Sequence, residues 1–165
     1  MGVSGCGKTT IGRALAARLG WRFRDGDEFH GPANIGKMRA GEPLDDADRA
    51  PWLAAIAHWM DGRSRAGEPA VVACSALKLR YRDFLRDQRP QVWFLYLRVP
   101  LGELQRRMQT RHHPFMSASL LGSQLQALEE PDSREPRTIA LDAADDAKAV
   151  VESAVAELIA HGLCG

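Results

Sequence analysis

The residues at the start of the chain have the types and spacing that hold a polyphosphate. Gly2-Val3-Ser4-Gly5-Cys6-Gly7-Lys8-Thr9 fits G-x-x-x-x-G-K-[ST], with Thr10 following. Glycines let backbone N–H groups turn inward around phosphate oxygens, where side chains would block the approach. A helix beginning at Lys8 would point its positive end at the same anion. Lys8 has the reach for β- and γ-phosphates, and the Thr9 hydroxyl suits the oxygen shell of a magnesium ion.

A second group follows. Asp25-Gly26-Asp27-Glu28-Phe29-His30 sets two carboxylates two residues apart. At the C-terminal end of a strand they would lie on the edge where α/β proteins bind ligands. One carboxylate there can hold magnesium through water while the other receives a hydroxyl proton. By itself, an Asp-Gly-Asp sequence more often marks a turn and nothing else.

Several elements must position these groups. Ile11, Leu15 and Leu19 recur every fourth position and Gly20 is a stop, which predicts a helix over 8–19. Residues 21–25 alternate apolar and polar, like a short strand. Residues 26–46 are rich in Gly, Pro, Asn and Asp and read as loop with one short helix near 35–40. Asp48 is placed to cap a helix in which Pro51 comes early and Trp52, Ile56 and Trp59 form the buried face. Residues 70–74 and 92–99 read as buried parallel strands. A helix over 75–88 between them carries Lys78, Arg80, Arg82 and Arg86. Further helices are predicted over 100–108, 119–131 and 145–161, and a last strand over 138–141. This alternation means an α/β layered fold with a parallel sheet and right-handed crossovers, as one domain over 1–165. A phosphate loop hangs between a buried strand and the helix it opens. A strand of about six to ten residues rich in Val, Ile and Leu is therefore expected upstream of Met1.

Composition narrows the classes. With 22 Lys and Arg against 21 Asp and Glu, the net charge is +1, without the basic excess of a nucleic-acid binder. Cys6, Cys74 and Cys164 are unclustered, which points to a reducing compartment and no disulfide or zinc framework. No apolar run approaches membrane-spanning length. The expectation is a cytoplasmic protein with neither membrane nor nucleic acid as partner.

Read in order, GVSGCGKTTIG (2–12), DGDEFH (25–30), NIGKM (34–38), GEPLDDADRAPWL (41–53), VVACSALKLRYRDFLR (71–86) and LLGSQLQALEEP (120–131) closely resemble the gluconate kinases. These are small magnesium–ATP enzymes of the nucleoside-monophosphate-kinase-like group, and the resemblance covers nearly the whole chain. It implies a three-layer phosphate-loop NTPase fold with parallel strands in the order 2-3-1-4-5. It also implies ATP and magnesium as cofactors, D-gluconate phosphorylated at its 6-hydroxyl, a mobile lid, and assembly as a homodimer. Gly5 through Thr10 match the family's ATP loop. Asp27 falls where the acceptor hydroxyl is oriented and deprotonated, and Asp25 lies beside it, nearer the metal; sequence does not separate the two roles. A bidentate arginine is the natural partner of the gluconate carboxylate, and Arg49 is the choice. His30 and Lys37 are weaker candidates for hydroxyl or carboxylate contacts. Lys78 and Arg82 could face the site, although charged helix surface is the better account of them.

The lid is expected over about 104–124. Arg107 and Arg111 lie four apart on one helical face, and in the family such a pair closes over ATP and neutralises the transferring phosphoryl group. The chain departs from the family here. Pro114 stands where histidine is expected and Ser117 where proline is expected, which bears on lid closure. Leu79 likewise replaces a second basic residue after Lys78. Two alternatives stand beside a gluconate kinase: a related small-molecule kinase such as shikimate kinase, and a non-catalytic nucleotide-binding paralogue. Cys74-Ser75-Ala76-Leu77, where shikimate kinases carry a glycine-rich motif, argues against the first.

Overall fold

The computed structural model describes residues 1–110, 118–144 and 146–164. Its elements in chain order are α1 (Lys8–Leu19), β1 (Arg22–Asp25), a 3-10 turn (Gly26–Phe29), α2 (Pro32–Arg39), α3 (Asp46–Arg65), β2 (Ala70–Ala73) and α4 (Leu79–Arg86). There follow β3 (Phe94–Arg98), α5 (Leu101–Thr110), α6 (Ala118–Ala127), β4 (Thr138–Asp142) and α7 (Ala147–Ala160). Among the described residues no helix is long and apolar enough to cross a membrane.

Among the described residues all strand pairing is parallel. β1 pairs with β2 from Arg22↔Ala70 to Asp25↔Ala73, and β3 with β4 from Phe94↔Thr138 to Arg98↔Asp142. These are the outer pairs of the expected order. Between them, the described residues contain a single rung of the expected central strand. The Met1 amino group donates to Leu95 O at 2.5 Å and Leu97 N donates to Met1 O at 3.0 Å. That is a parallel rung opposite Tyr96. Gly2 N then reaches Ser75 O at 3.1 Å, so these two residues bridge the half-sheets. Beside the rung, an apolar cavity of about 390 Å³ separates β2 from β3, lined among others by Val72, Cys74, Phe94 and Leu95.

Alternate strand residues feed two apolar clusters, because successive side chains of a strand point to opposite faces. Leu95 and Leu97 join Ile11, Leu15, Val151 and Leu158 under α1 and α7. Phe94 and Tyr96 join Trp52, Ile56 and Leu85 under α3 and α4. The result is helix, sheet, helix, with the C-terminal strand ends at the edge that carries the phosphate loop.

Four local expectations need correction. Asp45, not Asp48, caps α3: its side chain accepts from Asp48 N while the Asp48 carboxylate accepts from Asp45 N, a reciprocal capping box. Pro51 therefore lies inside the helix rather than in its first turn. The helix expected from Ser75 starts only at Leu79, because Ala76 adopts a left-handed φ of 42°. Arg82 is neither helix surface nor site residue. It is 1% exposed and donates to the carbonyls of Ala76, Leu77 and Glu129 and, through two nitrogens, to Glu135. Burial alone would raise the Glu135 carboxyl, but Arg82 and Arg86 outweigh it and hold it below its ordinary value. This network ties α4 to the segment leading into β4. The helix expected over 119–131 ends at Ala127, after which Glu129 N donates to Leu77 O at 2.9 Å. Arg111, the departures at Pro114 and Ser117, and the expected helix start at Asp145 lie outside the described residues.

Candidate active site

Gly7, at φ 98°, turns the loop into α1, a conformation that a side chain would strain. Met1 through Ser4 and Cys6 are buried, Gly5, Gly7, Lys8 and Thr9 are half-buried, and Thr10 is exposed at the rim. Lys8 Nζ donates to the Val3 carbonyl at 2.9 Å. The loop's glycines, its lysine and the N-terminal turn of α1 thus converge as the motif requires.

β1 delivers the carboxylates to this loop. Thr9 Oγ1 donates to Asp25 Oδ2 at 2.7 Å, and Asp25 Oδ1 accepts from Asp27 N at 3.2 Å, capping the 3-10 turn. The two carboxylates thereby separate: Asp25 faces Thr9, whereas Asp27 is exposed on the turn. Gly26 between them cannot carry a side chain, because a Cβ there would lie 2.4 Å from the Ala73 carbonyl. Trp52 Nε1 donates to Gly26 O at 2.7 Å and fixes the turn against α3.

His30 stacks on Trp52, with ring centroids 4.6 Å apart and planes 9° apart, and Asn34 Nδ2 lies 3.4 Å from its Nδ1. Burial, with help from the Arg49 charge, pushes its pKa down to about 4. His30 is therefore neutral at physiological pH and can trade hydrogen bonds with hydroxyls. Arg49 donates Nε to Leu44 O at 3.2 Å, and among the described residues its terminal nitrogens make no hydrogen bond. That leaves the fork available for a carboxylate. Lys37 is placed differently: it is paired with both Asp48 oxygens at 2.7 and 2.8 Å, which raises its pKa.

Arg107 donates to Glu103 at 2.7 Å and to the carbonyls of Ala143 and Ala144 at 2.9 and 3.0 Å. It sits against the turn after β4, on the same sheet edge as the phosphate loop. Two groups escaped the sequence reading. Asp46 gathers Lys78 Nζ, Arg80 and the Tyr81 hydroxyl, which together hold its carboxyl far below the usual range. Gln124 of α6 accepts a hydrogen bond from Ser4 N at 2.7 Å. Neither pairing has a local sequence signal, since the partners are 32 to 35 and 120 residues apart.

Magnesium takes hard oxygen donors, one or two from protein and the rest from phosphate and water. Thr9 Oγ1 and the Asp25 carboxylate are such a pair. Among the described residues no cluster of three His, Cys, Asp or Glu side chains could hold a metal alone. A metal at Thr9 and Asp25 would need nucleotide oxygens to complete its shell, as in phosphoryl-transfer sites.

A family model described as shikimate kinase matches residues 4–161. The gluconokinase of Gluconobacter oxydans is 52% identical over 82% of this chain and 76% of its own length. The thermoresistant gluconokinase of Escherichia coli is 37% identical over 98% and 92%. The crystal structure of a gluconokinase from Sinorhizobium meliloti superposes with a TM-score of 0.87 at 46% identity, covering 96% of this chain and 89% of that one. The chain belongs to the gluconokinase family of phosphate-loop kinases, within the reach of the shikimate kinase family model.

Proposed function

We propose that this chain transfers the γ-phosphoryl group of ATP to the 6-hydroxyl of D-gluconate, giving 6-phosphogluconate, ADP and a proton. The observation that carries this reading is the Thr9–Asp25 hydrogen bond, which seats the carboxylate turn against the phosphate loop, in a chain of this family. The loop amides and Lys8 would bind the phosphates and meet the charge that moves onto the leaving oxygen. Thr9 and Asp25 would hold magnesium, which supplies charge neutralisation between the β- and γ-phosphates. Asp27, exposed on the turn, would accept the hydroxyl proton as the oxygen attacks in line. The Arg49 fork would grip the gluconate carboxylate, with neutral His30 beside it for a hydroxyl. Arg107 and Arg111, from the lid proposed over 104–124, would complete the charge cage. ATP dependence goes with a cytoplasmic location, and the free cysteines fit a reducing compartment.

The test is ADP release with D-gluconate, with shikimate and with no acceptor. The reading expects release with D-gluconate alone. Preference for shikimate, or equal release without an acceptor, overturns it.

A further inference from the structure

One peptide group of the phosphate loop is held at both ends. The Val3 carbonyl accepts from Lys8 Nζ at 2.9 Å, and the N–H of the same peptide unit, on Ser4, donates to Gln124 Oε1 at 2.7 Å. Val3 and Ser4 are only 4% and 8% exposed, so neither end of this peptide has ready access to water. The loop is backed on a second side by α5: a Cβ on Gly5 would lie 3.5 Å from Met108 and 3.6 Å from Leu104. Gln124 thus gives the loop a polar link to α6, beside the apolar side chains of α5.

Orientation of the Val3–Ser4 peptide decides what Lys8 meets. With its N–H drawn toward α6, its carbonyl faces the ammonium. Turned over, the peptide would present a donor to a cation and leave a buried N–H without its acceptor, both unfavourable. We propose that Gln124 is a positioning residue for phosphoryl transfer. Acting through this peptide, it holds the ammonium of Lys8 at the phosphates and couples α6 to the nucleotide loop. The proposal rests on the nucleotide reading of the loop, but not on gluconate as the acceptor.

The experiment compares Gln124→Met, which keeps length and helix propensity but loses the acceptor, with Gln124→Glu, which keeps an acceptor oxygen. Hydrogen exchange of the Ser4 amide is followed by NMR in the unliganded protein, alongside ADP affinity, melting temperature and steady-state constants. In Q124M, Ser4 is expected to exchange at least about tenfold faster. The expected kcat falls by about tenfold, with the acceptor KM within about twofold and folding retained. In Q124E, Ser4 protection and most of kcat at saturating ATP return, while the added charge raises the KM for ATP. Should Q124M fail to fold, Gln124→Ala carries the same expectations. Unchanged Ser4 protection, or lost protection with unchanged kcat, would overturn the proposal and leave Gln124 a packing residue. Ser4 exchange and ADP affinity are read without gluconate, so failure of the substrate assignment is seen separately in the wild-type acceptor panel.

Discussion

The hydroxyl of Thr9 donates to Asp25 Oδ2 across 2.7 Å, joining the first turn of α1 to the end of β1. It gives the two carboxylates different surroundings and, on the proposed reading, different roles, which sequence alone left undivided. Asp25→Asn should weaken magnesium–ATP: the magnesium concentration for half-maximal rate rises. Asp27→Asn should instead lower kcat by ~10²–10⁴-fold, the usual cost of a lost general base, with ATP affinity nearly unchanged. Magnesium titrations of both variants at fixed ATP check this; an Asp27 variant with the larger magnesium shift would reverse the assignment.

Arg49 offers a guanidinium fork whose terminal nitrogens are free of hydrogen bonds among the described residues. Arg49→Lys keeps the charge and loses the planar pair of donors. A hydrogen bond to a charged group is worth about 1.5–3 kcal/mol, so the KM for gluconate should rise about ten- to hundredfold. The KM for ATP should stay within about twofold. A change confined to ATP would move Arg49 to the nucleotide side.

His30 resists protonation in the fold, with its pKa pushed down to about 4 by burial and then by Arg49. In the unfolded chain an ordinary histidine binds its proton below about 6.5. The unfolded state therefore holds more protons between these values, and stability falls as the pH drops from about 6.5 to about 4. Above about 6.5 the contribution is complete. His30→Gln should flatten the dependence of melting temperature on pH in that window, relative to wild type. Parallel curves for the two proteins would contradict the burial of His30.

Arg82 and Glu135 are 1% and 6% exposed, and their pairing is bidentate. Arg82→Met leaves Glu135 buried with Arg86 as its remaining cationic partner. Breaking a buried pair costs about 3–5 kcal/mol. Denaturant unfolding should show that loss, while kcat per folded molecule is retained. A stable but inactive variant would place Arg82 in the site after all.

The contrast between Arg82 and Lys8 shows what the sequence made legible. α1 was read with its observed bounds, since Ile11, Leu15 and Leu19 and the stop at Gly20 are local signals. The four strands among the described residues lie within about two residues of their expected places, because alternation and short apolar runs between turns are local signals too. The nearness of the Asp-Gly-Asp turn to the loop followed from the alternation of strand and helix. Arg82 was not legible: in KLRYRDFLR every second charge looks like solvent-facing helix, and its partner lies 53 residues further on. Gln124 was hidden for the same reason, as a polar residue on an ordinary helix whose partner is a backbone amide 120 residues away. The cap of α3 slipped from Asp48 to Asp45 because both are aspartates at compatible spacing, and only the reciprocal hydrogen bonds distinguish them.

The central claim is a phosphoryl transfer to one hydroxyl of one sugar acid. Phosphorus NMR of D-gluconate, ATP and magnesium with the enzyme tests it most directly. The account predicts one new phosphomonoester signal, coupled to the protons on C6 of gluconate and growing in step with ADP. Inorganic phosphate as the sole product, or an ester on another carbon, would contradict it.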